Sequence, residues 1–250
     1  MTETLVVIPT YNEAGNVESV VRRVLTAVPG ADVLVVDDGS PDGTGALADT
    51  LAAAESRVHV LHRPGKGGLG RAYLAGFDWG LRRTYDVLVQ MDADGSHLPE
   101  QLPSLLAALA DADLVLGSRW VPGGSVENWP RSREVLSRGG NRYARMALGL
   151  DLRDSTGGFR AWRRAALQAV DLDGVASQGY CFQVDLARRA ARAGIRVVEV
   201  PIRFVERVRG ESKMSNAIVG EAIWRVSVWG VGYRLRRVRP GLRRLGARRY

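Results

Sequence analysis

Two aspartates one residue apart, Asp92 and Asp94, stand where an apolar run ends in the stretch VLVQMDADGSHLP at residues 87–99. Carboxylates at i and i+2 after a strand can hold a hard divalent cation whose remaining ligands are waters and substrate phosphates. The same residues could equally form a polar turn before a helix that Pro99 starts. Counting excludes an EF-hand loop. With Asp92 in first place, the sixth position is His97 where glycine is needed, and the twelfth is Pro103 where a bidentate glutamate belongs. GKGGLG at 65–70 matches the dinucleotide fingerprint formally, with Asp92 near the expected spacing of ~20 residues. That fingerprint normally follows the first strand of its unit, whereas here a separate acidic turn, VVDDGSPDGT, precedes it, which argues against a dehydrogenase. Lys66 is followed by Gly67 and not by Ser or Thr, so the Walker pattern is absent.

The elements that must carry these residues are legible as alternation. Valine-rich apolar runs at 4–8, 33–37, 58–61, 86–91 and 113–117 are separated mostly by stretches of helical spacing, which predicts parallel strands joined by crossover helices. A helix is expected over 134–150, weakened by Gly139 and Gly140, and a late strand over 195–204 with Pro201 at an edge or bend. In such a sheet ligands sit beyond the carboxyl ends of the strands. The segments there are unusually polar: PTYNE (9–13), DDGSPDGT (37–44), HRPGKGGLG (62–70), DADGSH (92–97) and GSRW (117–120). Taken singly each has a plain use, since Asp42, Thr44, Asn12 or Thr10 could cap a helix and Asp38, Ser40 and Pro41 favour turns. In a ligand site, Tyr11 could stack on a base, while Glu13 and one carboxylate of the second turn accept hydrogen bonds.

Composition narrows the field. A chain of 250 residues can bury a large core without disulfides, and the single Cys181 and three histidines argue against both a disulfide framework and a zinc cluster. The start MTETLVVIPT lacks the pattern of a signal peptide, and no run reaches the ~18 apolar residues of a membrane span, so a cytoplasmic protein is expected. The net charge of +8 is localised: Glu221–Tyr250 holds nine arginines and one glutamate, leaving 26 basic and 26 acidic residues before it. A nucleic-acid binder would carry a recognition motif and would not gather carboxylates at its ligand edge.

In this order the motifs PTYNE, VVDDGSPDGT, KGGLGRAYLAGF, MDADGSHLPE, GSRW, ENWPRSREVLSRGGN, STGGFRAW, GYCFQVD and PIRFVERVRGESKMS resemble the polyprenol (dolichol) phosphate mannose synthases over roughly residues 4–230. These are inverting family 2 glycosyltransferases of GT-A fold, and the wording is similar to actinobacterial members. The resemblance implies an α/β GT-A nucleotide-sugar-binding sheet, mostly parallel, with helices on both faces. The expected division is a catalytic domain at 1–215 and a basic amphipathic segment at 216–250. It implies GDP-mannose as donor and a polyprenyl phosphate as acceptor, with Mg2+ or Mn2+ as cofactor. Pro9, Tyr11, Glu13, Val36 and Asp38 would bind guanosine, and Asp92, Ala93 and Asp94 the diphosphate, with Asp92 and Asp94 serving the metal. Some relatives place glutamine, a further metal ligand, where Ser96 stands here. Arg119 and Arg133 match arginines that hold the acceptor phosphate, and Arg207 and Lys213 a pair reaching the donor phosphates from a mobile loop. Gln183 and Asp185 are candidates for sugar hydroxyls. A polyprenyl phosphate glucosyltransferase using UDP-glucose, which shares most of the turns, is the nearest rival; a non-catalytic sugar-nucleotide binding module is another.

That residue set suits the chemistry. A phosphate oxygen is already ionised near neutral pH and needs no strong base. What must be supplied is neutralisation of the departing GDP and orientation of two mutually repelling anions. Asp92, Asp94 and Arg119 are the residues expected to carry this. The stretch at 217–240 has Ile218, Ile223, Trp224, Val228, Trp229 and Tyr233 with arginines toward its end, which suits a helix lying on an anionic membrane surface and equally one whose apolar side packs on the catalytic domain while the arginines are solvated; both can hold together. The expected location is therefore peripheral, on the inner face of the cell membrane, and an integral-membrane partner subunit is left open.

Overall fold

The computed structural model describes residues 2–175, 180–206, 220 and 223–231. Seven strands form one sheet in the order β3-β2-β1-β4-β7-β5-β8. β1 (Thr4–Thr10), β2 (Ala31–Asp37), β3 (Val58–His62) and β4 (Val87–Gln90) pair in parallel, as do β5 (Leu114–Ser118) and β8 (Val197–Pro201). The short apolar runs fulfil the expectation of buried parallel strands, because neighbouring residues of each run face opposite layers. Val6, Ile8, Val33 and Val35 pack with α1 (Val17–Ala27) and α4 (Leu102–Ala108) on one face. Leu5, Val7, Leu34 and Val36 pack with α3 (Leu69–Leu81) and α7 (Tyr180–Arg192) on the other. α3 lies close against the sheet: a Cβ on Gly76 would stand 2.3 Å from Val7 Cγ1. α2 (Thr44–Ala54) connects β2 to β3.

The sequence did not announce β7 (Arg160–Arg163), which runs antiparallel between β4 and β5 and pairs Arg160 with both Gln90 and Leu116. Four residues bounded by two arginines carry no strand signature; long-range pairing decides this one. α6 (Arg164–Ala169) follows directly. The late apolar segment divides at Pro201 into the edge strand β8 and β9 (Arg203–Val205), which pairs with β6 (Ser125–Glu127) in a second, two-stranded sheet. α5 runs from Arg131 to Leu148 as one helix through Gly139 and Gly140. Residues 223–231 are helical and meet α5 through Val226, Ala144 and Leu148. The rest of the expected basic tail, together with Arg207 and Lys213, lies outside the described residues. No helix among the described residues is long and apolar enough to cross a membrane.

Candidate active site

The chain moves outward from β1 through β2 to β3, then returns to place β4 on the other side of β1. This reversal of direction is where doubly wound sheets open a crevice at their carboxyl edge. It brings PTYNE and DADGSH together. The first two of these turns are stitched to each other. Three successive amides, of Asn12, Glu13 and Ala14, donate to Ser40 Oγ (3.0 Å), Thr44 Oγ1 (2.9 Å) and Asp42 Oδ2 (3.1 Å). The turn residues read from sequence as potential caps thus fasten one loop to its neighbour.

Asp38 is 3% exposed; its Oδ2 accepts the Gly67 and Gly68 amides at 2.9 and 3.1 Å, and Oδ1 pairs with Arg63. The carboxylate therefore anchors the glycine-rich loop, and that loop lays the Lys66 ammonium 4.4 Å from the centre of the Tyr11 ring. Pro9 and Val36 face each other across β1 and β2. The Val36 side chain is spent in the core, which leaves its backbone for any ligand. Glu13 Oε2 receives Asn16 Nδ2 at 2.8 Å.

The acidic turn is held from three sides. Asp94 Oδ1 accepts the Ser96 amide at 3.0 Å across Gly95, whose φ of 77° needs a residue without Cβ. The Asp92 amide donates to Nδ1 of His97 at 3.1 Å, and Asp92 Oδ1 accepts the Tyr73 hydroxyl at 2.8 Å. Burial, reinforced by the Asp92 charge, raises the Tyr73 phenol well above its ordinary value, so it remains a donor. His97 is 1% exposed, stacked on Phe159 at 5.0 Å and set edge-on to Phe204 at 5.4 Å. Burial lowers its pKa despite nearby carboxylates, which keeps the ring neutral and Nδ1 an acceptor. A histidine one residue after Ser96 gives no hint in the sequence that it braces Asp92.

The chemistry of the donor set fits a small hard cation. Asp92 and Asp94 are both partly exposed, and among the described residues no group of three His, Cys, Asp or Glu gathers as a full protein cage. Two carboxylates leave the other positions to water and phosphate, as Mg2+ and Mn2+ chemistry favours. Ser96 is 2% exposed and contributes its backbone to the turn.

The reversed β7 delivers the loop before it, residues 154–159, to the same edge. There Asp154 is fully buried and receives the Arg119 amide, Nε and Nη2 at 3.0, 2.7 and 2.6 Å, while Arg119 Nη2 also reaches Thr156 Oγ1 at 2.8 Å. Arg119 thus has a structural partner, Asp154, that spacing did not reveal. Arg133, at the start of α5, pairs with Glu206 and lies 4.0 Å from the centre of the Trp129 ring. Trp120 and Trp129 meet edge to face at 6.3 Å, and each buries an indole N–H without a hydrogen-bond partner. Arg160, missed as a functional candidate, is fully buried and donates to the carbonyls of Ser155, Gly157 and Gln183 at 2.8, 2.9 and 2.9 Å. Burial brings its pKa down to about 10, and it still carries a positive charge at neutral pH. It ties the loop to α7.

On α7, Gln183 and Asp185 diverge, since residues two apart on a helix lie on different sides. Asp185 is 2% exposed and committed to Arg188 and Arg189 of its own helix. Gln183 faces the strand ends.

The family model described as Glycosyl transferase family 2 matches residues 5–171. An undecaprenyl-phosphate mannosyltransferase of Micrococcus luteus is 59% identical over 238 residues, covering 95% of this chain and 98% of that protein. A polyprenol monophosphomannose synthase of Mycolicibacterium smegmatis is 59% identical over 242 residues, covering 96% and 91%. Among solved structures, glucosyl-3-phosphoglycerate synthase from Mycobacterium tuberculosis in complex with Mn2+, UDP and glucosyl-3-phosphoglycerate superposes with a TM-score of 0.63 at 22% identity, covering 90% of this chain and 77% of that one. That likeness establishes the shared fold.

Proposed function

Because the chain belongs to glycosyl transferase family 2, we propose that it transfers mannose from GDP-mannose to a polyprenyl phosphate with inversion, giving a polyprenyl β-D-mannosyl phosphate. The observation that carries this reading is the meeting, at one sheet edge, of an acidic turn after β4 with an arginine turn after β5, in a chain matched almost end to end by two enzymes named for this transfer.

The guanosine lies along Pro9, Tyr11, Glu13, the Val36 backbone and the Asp38 turn, with the diphosphate directed toward Asp92, Ala93 and Asp94. Asp94 and Asp92 would hold a divalent cation, Mg2+ or Mn2+, which when bound offsets the negative charge of the departing GDP. Tyr73 and His97 keep Asp92 aimed by binding its carboxylate and its amide. Arg119 and Arg133 orient the acceptor phosphate, and guanidinium suits this because its planar fork meets two oxygens at once. Their existing partners, Asp154 and Glu206, hold them in place beforehand. Arg207 and Lys213 add positive charge at the donor phosphates. The acceptor oxygen attacks the anomeric carbon as an anion, so these residues position and neutralise and no side chain has to remove a proton.

A lipid acceptor is met at a bilayer. α5 and the helix at 223–231 pack together, with Tyr143 and Ser227 hydroxyls 2.6 Å apart. The same two helices expose Val135, Leu136 and Met146, and Trp224, Val228 and Val231. With the nine arginines after residue 221, this supports a peripheral position on an anionic cytoplasmic membrane surface.

The test is to incubate purified protein with radiolabelled GDP-mannose, a polyprenyl phosphate and Mg2+, then extract lipid. Label in the organic phase is expected; none, beside an active control synthase, refutes the reading. Competition with UDP-glucose separates the glucosyltransferase alternative.

A further inference from the structure

We infer that Gln183 is the residue that recognises the transferred hexose, its Nε2 donating to a sugar hydroxyl that in turn donates to Asp92. This rests on the donor-site reading above and adds to it the atom, the chemical group and the reason for the geometry.

Gln183 is 3% exposed, yet its Nε2 has no hydrogen-bond partner. Buried donors are almost always satisfied, so an orphan beside a ligand site calls for a partner that arrives with the ligand. The direction of the amide is fixed by a chain of bonds. Trp162 Nε1 can only donate, and it donates to Gln90 Oε1 at 2.9 Å. Gln90 is thereby turned so that its Nε2 reaches Gln183 Oε1, in a longer contact of 3.4 Å. The remaining end of Gln183 is its NH2. Arg160 fixes the backbone from the other side by binding the Gln183 carbonyl at 2.9 Å.

The location of that NH2 comes from Gly158. A Cβ built there would lie 3.4 Å from Gln183 Nε2, 3.4 Å from Asp92 Oδ2 and 3.5 Å from His97 Cε1. Gly158 is not among the glycines with positive φ, so its lack of a side chain, not its backbone, is what the site uses. A donor and a carboxylate oxygen therefore flank one small space. A phosphate oxygen placed there would satisfy Gln183 but repel Asp92. A hydroxyl satisfies both, since it accepts from one and donates to the other. Sugar hydroxyls are the hydroxyls that a nucleoside diphosphate sugar has and the bare nucleoside diphosphate lacks beyond the diphosphate.

The test compares binding of GDP-mannose and GDP, by calorimetry with Mg2+, to wild type, Gln183→Leu and Gly158→Ala. Leucine removes an unsatisfied donor at similar volume but also takes the acceptor from Gln90 Nε2, so a modest fall in melting temperature is expected and the comparison of the two ligands on the folded variant carries the test. Gly158→Ala fills the space with a methyl group at ordinary contact distance. Both should bind GDP within about twofold of wild type and lose roughly tenfold or more for GDP-mannose, the usual scale for stranding a buried polar contact. Equal losses for the two ligands would overturn the inference by assigning Gln183 to the diphosphate or to structure, and unchanged GDP-mannose binding would overturn it outright. Wild type that binds neither GDP-mannose nor GDP would remove the donor reading and this inference together, an outcome distinct from failure in the variants alone.

Discussion

Asp154→Asn exchanges one oxygen for an NH2 and deletes one buried negative charge. In the protein as it stands that carboxylate is 0% exposed and binds the Arg119 amide, Nε and Nη2. Burial alone would push the Asp154 carboxyl up, but the charge and hydrogen bonds of Arg119 outweigh it and hold the group below the usual carboxylate range. Removing one partner of a buried pair strands the other charge, at a cost of about 3–5 kcal/mol. At roughly 2–4 °C of Tm per kcal/mol for a chain of this size, the variant should melt roughly 6–20 °C below wild type. The asparagine oxygen can still accept one bond from Arg119, which favours the lower half of that range. Thermal denaturation followed by circular dichroism at neutral pH reads the shift. The sign of the pH dependence follows from the depressed pKa. The stabilisation is complete above the unfolded carboxylate value of about 3.9 and is lost as pH falls through the folded one, so the gap should close in acid. Acceptor affinity measured on the folded variant should fall, because Asp154 no longer holds the Arg119 fork in place beforehand. A shift under about 2 °C at neutral pH, or a gap as wide in acid as at neutrality, would refute the idea that this pair fixes the turn after β5 to the loop before β7.

Asp94→Ala should abolish lipid-linked mannose formation while far-UV circular dichroism stays native; near-normal transfer would show that the metal assignment is wrong. Tyr73→Phe removes a hydrogen bond to a charged group, worth about 1.5–3 kcal/mol, and should lower kcat/KM at least tenfold, which steady-state kinetics with GDP-mannose will test. Since burial depresses the His97 pKa, the unfolded chain binds the proton more readily. Its effect on stability should therefore appear as a loss when pH drops below about 6.5, read by urea denaturation against His97→Gln. Deleting residues 234–250 should weaken sedimentation with anionic liposomes and make what remains less salt-sensitive, each arginine near the surface being worth about 1 kcal/mol; binding that is unchanged would count against the membrane role of the tail.

The parallel half of the sheet was readable because strands buried on both faces must be continuously apolar, as Leu5–Ile8 and Val33–Val36 are. β7 was not readable, since Arg160 and Arg163 look like surface residues until their neighbours in space are known. Gln183 and Asp185, both read from sequence as candidates for sugar hydroxyls, could not be separated either. Which side of α7 meets Gln90 and which meets Arg188 and Arg189 depends on how the helix docks.

From the sequence alone came the class of fold, the polar strand ends that make a ligand edge, and the carboxylates at i and i+2 suited to a hard cation. These are local matters, set by periodicity and by the reach of neighbouring side chains. Only the tertiary structure decided what Asp38, Arg119, Arg160 and His97 are bound to, because Gly67, Asp154, Gln183 and Phe159 are brought to them by another turn, loop or helix. A buried charge or a neutral imidazole is defined by what surrounds it in three dimensions. Spacing along the chain carries no record of that.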